Sequence, residues 1–179
     1  MSCPAKGFTL LDALIAMAIT AILLAVAVPA WSQAKAAATS ASIRADLVSN
    51  LLDAVRHAAI TGSEVVMCPN GANGCGGSTR WDDGWLVFAD INGNRAPDPN
   101  ETRLARRGPL SDKVNLRSTA GRTRLVFQPN GGNAGSNVTF TLCDARGPKF
   151  ATTLVLSNAG QMRAGVPTPA AAWNCVYGG

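Results

Sequence analysis

The chain has 179 residues, of which 47% are hydrophobic and only 15% charged, with 18 glycines, 10 prolines and a net charge of +5 at pH 7. This composition excludes a disordered tail and favours a turn-rich globular domain of ordinary size. The first predicted element is an almost unbroken apolar segment, residues 8–28, which only Thr9, Asp12 and Thr20 interrupt. As a helix it would be about 31 Å long, enough to cross the hydrocarbon core of a bilayer.

A short segment, residues 1–7, precedes this helix and carries one cation, Lys6, and no acidic residue. Positive charge beside a span stays cytoplasmic, so the sequence predicts a single-pass protein whose remaining residues are exported. A cleaved secretory signal is the alternative, since residues 25–27 (Ala-Val-Ala) suit a cleavage site. Against it, a carboxylate at Asp12 is costly in lipid and useless in a disposable signal, and the helical pattern continues past this point.

Helical periodicity continues through residues 32–61. An apolar stripe recurs there at steps of three and four residues, formed by Ile43, Leu47, Leu51, Ala54, Val55 and Ala58. We therefore predict one long helix, residues 8–61, whose first part (8–28) spans the membrane and whose amphipathic second part (32–61) covers a sheet. Pro29 lies at the boundary and is expected to kink the helix or to melt it locally.

Residues 62–179 change to short β-branched and aromatic runs that turns separate. The candidate strands are Glu64 to Met67, Trp85 to Asp90, Thr102 to Ala105, Lys113 to Arg117, Arg124 to Gln128, Asn137 to Cys143, Thr152 to Ser157 and Asn174 to Tyr177. Because no helix separates these strands, they predict antiparallel sheets packed on the long helix, an α+β fold.

The amino-terminal junction resembles that of type IV prepilins in the sequence Gly7-Phe8-Thr9-Leu10, in Asp12 and in Pro29 after the apolar helix. The resemblance implies that a prepilin peptidase cuts between Gly7 and Phe8 and methylates the new amino group. It also implies anchoring in bacterial inner membrane lipid, with a periplasmic domain, before incorporation into a filament. The fifth mature residue of the family is normally glutamate. Here it is Asp12, which keeps the charge of glutamate but has a side chain that is one methylene shorter. The resemblance implies that Asp12 neutralises the methylated amine of a neighbouring subunit.

The sheet region resembles the GspH/FimT family of minor pilins and pseudopilins. The residues that carry the resemblance are 81–88 (Trp-Asp-Asp-Gly-Trp-Leu-Val-Phe), 90–92 (Asp-Ile-Asn) and 154–160 (Leu-Val-Leu-Ser-Asn-Ala-Gly). The resemblance implies a type IV pilin-like fold and a structural subunit that primes or caps a type IV pilus or a type II secretion pseudopilus. Other minor and major pilins or pseudopilins are the implied partners. Trp81 and Trp85 are expected to be core residues around a tight turn at Gly84.

Cys3 lies in the leader, and four cysteines remain beyond it: Cys68, Cys75, Cys143 and Cys175. An even number in an exported domain favours disulfides, and four cysteines allow three connectivities. Cys68 and Cys75 close a short loop rich in turn formers, which leaves Cys143 to pair with Cys175. Zinc is the alternative, but no Cys-x-x-Cys spacing occurs and His57 is the only histidine.

Residues 90–101 carry oxygen side chains at the spacing of a calcium loop. The candidate ligands are Asp90, Asn92, Asn94, Asp98 and Glu101. However, Arg95 stands where the turn glycine belongs, and Pro97 and Pro99 stiffen the chain. The same residue types are common in any exposed hairpin loop, and the sequence favours that interpretation over a metal site.

Positive charge is concentrated in residues 103–179, which hold ten basic and two acidic residues, against six basic and nine acidic ones in residues 1–102. Such a surface attracts polyanions. Some relatives of the FimT branch bind DNA for natural transformation through a Gly-Arg-x-Arg element, so the resemblance implies DNA uptake as an alternative function.

The position that matches this element reads Gly-Gln-Met-Arg at residues 160–163, and the spelling Gly-Arg-Thr-Arg occurs elsewhere, at residues 121–124. The candidate DNA contacts are Arg122, Arg124, Arg146, Lys149 and Arg163. A solvated basic face, or a contact with an acidic neighbouring subunit, is the other interpretation, because few aromatic residues lie near for base stacking.

The sequence contains no arrangement typical of an enzyme. His57 lies within the predicted helix, neither Gly-x-Ser-x-Gly nor a phosphate-binding loop occurs, and the carboxylates are scattered. The sequence therefore predicts a structural and interaction protein that uses no cofactor.

Overall fold

The computed structural model describes residues 7, 9–72, 74–111 and 113–178. Phe8 and most of the predicted leader, residues 1–6, lie outside the described residues. The chain forms two compact units, Met1–Ala38 and Thr39–Gly179. A single helix, α1 (Leu10–Thr61), contributes residues to both.

Pro29 lies inside α1, and the helix continues through it. The prediction that Pro29 melts the helix is therefore wrong, while a kink stays a prediction. Proline removes only one backbone hydrogen bond, and Ala25, Ala27 and Ala30 beside it are strong helix formers. The hydroxyl of Ser32 donates to the Pro29 carbonyl at 2.9 Å.

The strands of the second unit are short, and an antiparallel ladder joins each to its neighbours. They are β1 (Glu64–Gly71), β2 (Gly74–Cys75), β3 (Trp85–Asp90), β4 (Arg103–Arg107), β5 (Val114–Ser118), β6 (Leu125–Phe127), β7 (Val138–Asp144), β8 (Thr152–Leu156) and β9 (Met162–Gly165). A 3₁₀ helix (Pro148–Phe150) lies between β7 and β8, and helix α2 (Pro169–Tyr177) follows β9.

The strands form two antiparallel sheets. The first has the order β2-β1-β3-β4, with β6 also paired to β1, and the second has the order β5-β7-β8-β9. Register in the first sheet places Val65 opposite Ala89, and in the second it places Phe140 opposite Leu154. The predicted α+β fold, a long helix with antiparallel sheets, is confirmed.

The main core lies where the second part of α1 packs against residues from both sheets. The buried residues of the α1 stripe are Ile43, Leu47, Leu51, Ala54 and Ala58, and Val55 is half-buried against them. Trp81 and Trp85 are completely buried, and the Trp81 ring meets Phe140 edge-on with centroids 5.0 Å apart. Burying each large apolar side chain contributes about 1.5–3 kcal/mol, so this layer is a main source of the unit's stability.

The predicted strand at residues 174–177 is wrong, because these residues belong to helix α2. The Thr168 hydroxyl accepts a hydrogen bond from the Ala171 amide at 3.3 Å, and Pro169 stands at the helix start. A capping threonine followed by proline and three alanines is a helix-start signal that outweighs the β-branched and aromatic residues after it. The short strands β2 and β9 were not predicted either.

Candidate assembly surfaces

Helix α1 begins with a capping arrangement between Thr9 and Asp12. The Thr9 amide and hydroxyl both donate to Asp12 Oδ2, at 3.0 and 2.7 Å, and the Asp12 amide donates to the Thr9 hydroxyl at 3.2 Å. The carboxylate is thereby held at the positive end of the helix dipole. Of the predicted processing residues, Gly7 is described and Phe8 is not. The predicted contact of Asp12 with Phe8 of a neighbouring subunit thus involves a residue outside the described ones.

The first unit exposes the apolar side chains of α1. Leu10 is 80% exposed and Trp31 is 75% exposed, and the leucine, isoleucine, methionine and valine side chains between them are all exposed as well. Among the described residues, α1 is the one helix that is long and apolar enough to cross a membrane. An apolar surface of this size requires lipid or other apolar helices around it.

In the second unit, Asp144 lies at the end of β7, only 4% exposed, and accepts hydrogen bonds from two elements. Ser40 of α1 donates to Oδ2 at 2.5 Å, and Arg146 donates from Nε to Oδ1 at 2.9 Å and from Nη2 to Oδ2 at 2.7 Å. Burial alone would raise the pKa of Asp144. The hydrogen bonds from Arg146 and Ser40 outweigh burial, so the pKa is lowered.

The aromatic turn at residues 81–85 connects α1 with both sheets. Asp82 accepts the Leu116 amide of β5 at 2.9 Å and forms an ion pair with Arg117. Gly84 has φ +84°, and a Cβ there would lie 2.1 Å from the carbonyl oxygen of Arg107. The turn thus requires glycine both for its backbone conformation and for its close approach to β4.

Trp85 anchors the contact between α1 and the first sheet. Its indole Nε1 donates to Asn50 Oδ1 at 2.8 Å, and the guanidinium of Arg107 lies 5.5 Å above its ring centroid. Arg107 also forms an ion pair with Asp46 of α1. The residues that carry the family resemblance therefore hold α1 and the two sheets in place. Trp81 and Trp85 are core residues, as the sequence indicates.

Two disulfides join the cysteine pairs expected from the sequence. Cys68 bonds to Cys75, with Cα atoms 5.4 Å apart, and Cys143 bonds to Cys175, with Cα atoms 6.0 Å apart. The first closes the β1–β2 turn, and the second fastens α2 to β7. All four sulfurs are used in these two pairs, so none of them is available as a zinc ligand.

The calcium candidates do lie together in the loop after β3, but hydrogen bonds within the loop occupy their oxygens. Asp90 accepts the Gly93 and Arg95 amides, Asp98 accepts the side-chain amides of Asn92 and Asn94, and Glu101 accepts the Ile91 and Asp98 amides. Among the residues that the structure describes, no group of three or more histidine, cysteine or acidic side chains is arranged to hold a metal ion. The loop geometry thus favours the plain hairpin interpretation.

The predicted DNA contacts lie on different elements, and two of them are held by partners within the chain. Arg122 donates both Nη groups to the Ala134 carbonyl at 3.2 Å, and burial lowers its pKa. Arg146 pairs with Asp144 and lies 4.9 Å from the Phe150 ring centroid. Arg124, Lys149 and Arg163 are exposed, and they lie before β6, in the 3₁₀ helix and on β9.

Sequence reasoning missed the roles of Ser40, Asp46 and Asn50. All three are polar residues near the apolar stripe of α1, and their partners are far away in the chain. Ser40 and Asp144, for example, are 104 positions apart. The available signal was a polar side chain beside a buried stripe, which indicates a contact with another element. Nothing in the sequence pattern specifies the partner residue.

Comparison with known families gives two matches. Residues 44–160 match the family described as Type II transport protein GspH, and residues 4–28 match the prokaryotic N-terminal methylation motif. The first match covers the part of the chain from α1 to the turn after β8. The second covers the predicted processing site and the apolar segment.

The chain is similar to a pilin-like protein in sequence, and to a minor pilin and a minor pseudopilin in fold. The chain is 30% identical over 133 residues to the pilin-like protein PilA1 of Thermus thermophilus, covering 70% of this chain and 78% of PilA1. Among solved structures it is similar to the type IV minor pilin FimU of Pseudomonas aeruginosa (TM-score 0.55, 13% identity, 78% of this chain and 92% of FimU). It is also similar to the minor pseudopilin EpsH from the Type 2 Secretion System of Vibrio cholerae (TM-score 0.51, 14% identity, 72% of this chain and 98% of EpsH). At these identities the two structures establish the fold.

Proposed function

Since the chain belongs to the GspH family of type IV pilin-like proteins, and is a minor pilin or pseudopilin that contacts other pilins in a filament, we propose that it primes or caps that filament. The filament is a type IV pilus or a type II secretion pseudopilus. The observation that supports this role is the exposed apolar part of α1 on a chain that also matches the N-terminal methylation motif. The protein is structural and is not an enzyme.

Maturation precedes assembly in this proposal. A prepilin peptidase cuts between Gly7 and Phe8 and methylates Phe8, while the apolar segment stays in inner membrane lipid and the sheets lie in the periplasm. Single-pass anchoring with the amino terminus in the cytoplasm agrees with Lys6 before the span. Moving α1 from lipid to a bundle of apolar helices exchanges one apolar surrounding for another, so packing and polar contacts decide the transfer.

Asp12 supplies the polar contact. In the filament its carboxylate neutralises the methylated amine of Phe8 in a neighbouring subunit, which offsets the cost of burying either charge alone. Thr9 holds the short aspartate side chain at the helix start.

Replacing Asp12 tests this role. We expect Asp12→Ala to lower the amount of protein in sheared filaments at least tenfold, because an unpaired amine would be left among apolar helices. Asp12→Glu keeps the charge and serves as the matched control, with incorporation near that of the unchanged protein. Both variants should keep the thermal midpoint of the sheet unit. Normal incorporation of Asp12→Ala would refute the role.

DNA binding in natural transformation is the second candidate function. Three exposed cations, Arg124, Lys149 and Arg163, support it, together with the excess of basic residues in 103–179. Gel shift of the detergent-solubilised protein at two salt concentrations tests this candidate, since phosphate contacts weaken steeply with salt. A shift at low salt that Arg124→Ala and Arg163→Ala each reduce would support it. Absence of a shift at low salt would rule it out.

A further inference from the structure

Strand β4 (Arg103–Arg107) is the outer strand of the first sheet. It pairs with β3 on one side, from Trp85 opposite Arg107 to Phe88 opposite Arg103, and no other strand among the described residues pairs with it. The register shifts between Val87 and Phe88, so Leu104 is an extra residue on β4. Backbone N–H and C=O groups on the outer side of β4 are available to another strand.

Two arginines on this edge have no acidic partner. Arg103 and Arg106 are both exposed, and neither forms an ion pair within the part of the chain that the structure describes. Arg107, by contrast, pairs with Asp46 and lies against Trp85. The free edge thus presents two unneutralised guanidinium groups, which suit bidentate contacts with carboxylates.

Clefts flank β4 on both faces. One, of about 360 Å³, lies between α1 and the strand and is lined by Asp46, Ser49, Asn50, Ala105, Arg106 and Arg107. The other, of about 210 Å³, includes Leu86, Pro97, Arg103 and Arg106 in its lining. Side chains of an added strand alternate between the two faces, so both clefts would receive them.

We propose that the free edge of β4 binds an extended acidic segment of a neighbouring filament subunit as an added strand, with Arg103 and Arg106 pairing with its carboxylates. Backbone hydrogen bonds would supply affinity, and the arginines would select the charge. This inference rests on the proposed function, because it names the kind of partner the subunit meets.

Charge also argues against a second copy of this chain as the occupant. Two β4 edges would bring their arginines together, and like charges directly opposite destabilise a strand pair. The competing explanation is that arginines on an edge strand only prevent edge-to-edge aggregation of sheets. The outer strand of the second sheet, β9, offers the comparison, since it is exposed and carries a single arginine, Arg163.

Hydrogen exchange tests the proposal in the full-length protein in non-ionic detergent. The probes are a short peptide that alternates glutamate with valine and a matched peptide that alternates lysine with valine. We expect the glutamate peptide to slow amide exchange in residues 103–107 and the lysine peptide to have no effect. The double variant Arg103→Glu/Arg106→Glu should bind the glutamate peptide at least about tenfold more weakly. Arg163→Glu, the control on β9, should bind it as before.

Equal binding of both peptides, protection of β9 instead of β4, or no protection at millimolar peptide would each overturn the inference. The measurement does not depend on filaments. Asp12-dependent incorporation without peptide protection of β4 therefore refutes this inference alone. Protection of β4 in a protein that never enters filaments refutes the proposed function and leaves an acidic-strand site.

Discussion

The carboxylate of Asp144 is stabilised by neighbours from different elements, Ser40 of α1 and Arg146 after β7. Its pKa is lowered, so folding favours the ionised form, and this contribution is fully present above the unfolded pKa of about 4. It is lost as the pH falls through the lower pKa of the folded state. The free energy of unfolding should therefore decrease with acid below about pH 4.

We predict that Asp144→Asn destabilises the sheet unit by about 2–3 kcal/mol at neutral pH, because Arg146 loses its charged partner in a half-buried place. The variant should also show a flatter pH dependence below pH 4. Asp53→Asn is the control: Asp53 pairs with Arg56 on the exposed face of α1, and its loss should cost no more than about 0.5 kcal/mol. Denaturant melts at several pH values measure both. Equal effects of the two substitutions would contradict the assignment.

Gly84 and Gly131 separate backbone strain from steric clash. Both have positive φ, +84° and +82°, but a Cβ at Gly84 would meet backbone at 2.1 Å, whereas a Cβ at Gly131 would meet nothing within 4 Å. We predict that Gly131→Ala costs about 1 kcal/mol and Gly84→Ala about 3 kcal/mol or more. Thermal unfolding of the two variants gives the comparison, and similar losses would show that the approach of β4 to the turn is looser than described.

At the scale of elements, periodicity was the most informative signal. The α1 stripe from Ile43 to Ala58 predicted the helix, its end at Thr61 and its buried face, because one period of 3.6 residues persists over several turns. Strands such as β3 and β8 were also predicted from a local pattern, because each is a short apolar run with turn residues on both sides. Contacts between distant elements, Asn50 with Trp85 for example, could not be predicted, since no local pattern specifies them.

Helix α2 shows where local signals conflict. Residues 174–177 include valine and tyrosine, which favour strands, yet the capping Thr168, the Pro169 after it and the disulfide from Cys175 to β7 hold them in a helix. Arg146 shows the same limit for a site. Its charge suggested a polyanion contact, but the fold uses that charge to neutralise Asp144.

The loop after β3 is an element whose hydrogen bonds are satisfied without a metal. We predict that neither calcium nor a chelator changes the thermal midpoint, because the carboxylates of Asp90 and Glu101 already accept backbone amides. Asp90→Ala should lower the midpoint equally with and without calcium. A calcium-dependent rise that Asp90→Ala abolishes would establish the metal site instead.

At the scale of the whole molecule, the two units require different surroundings. The described α1 side chains from Leu10 to Trp31 are exposed and mostly apolar, whereas the buried residues of the same helix start at Ser40. One continuous helix therefore has an apolar part that favours lipid and a second part that completes the hydrophobic core of the sheet unit. This division explains how a subunit can stay in the membrane and still present a folded domain to its neighbours.

Truncation tests this division. We predict that a fragment of residues 32–179 is soluble without detergent and melts cooperatively, because it keeps every buried residue of α1 and Ser32 can cap the shortened helix. A fragment of residues 44–179 loses Ser40 and Ile43, and with them the hydrogen bond to Asp144 and a fully buried side chain. It should be less stable by about 3 kcal/mol.

The full-length chain should need detergent to stay in solution. Without detergent it should sediment with membranes. If it were instead freely soluble with residues 9–38 still attached, the exposed apolar surface would have another partner, and the proposed anchoring would be wrong.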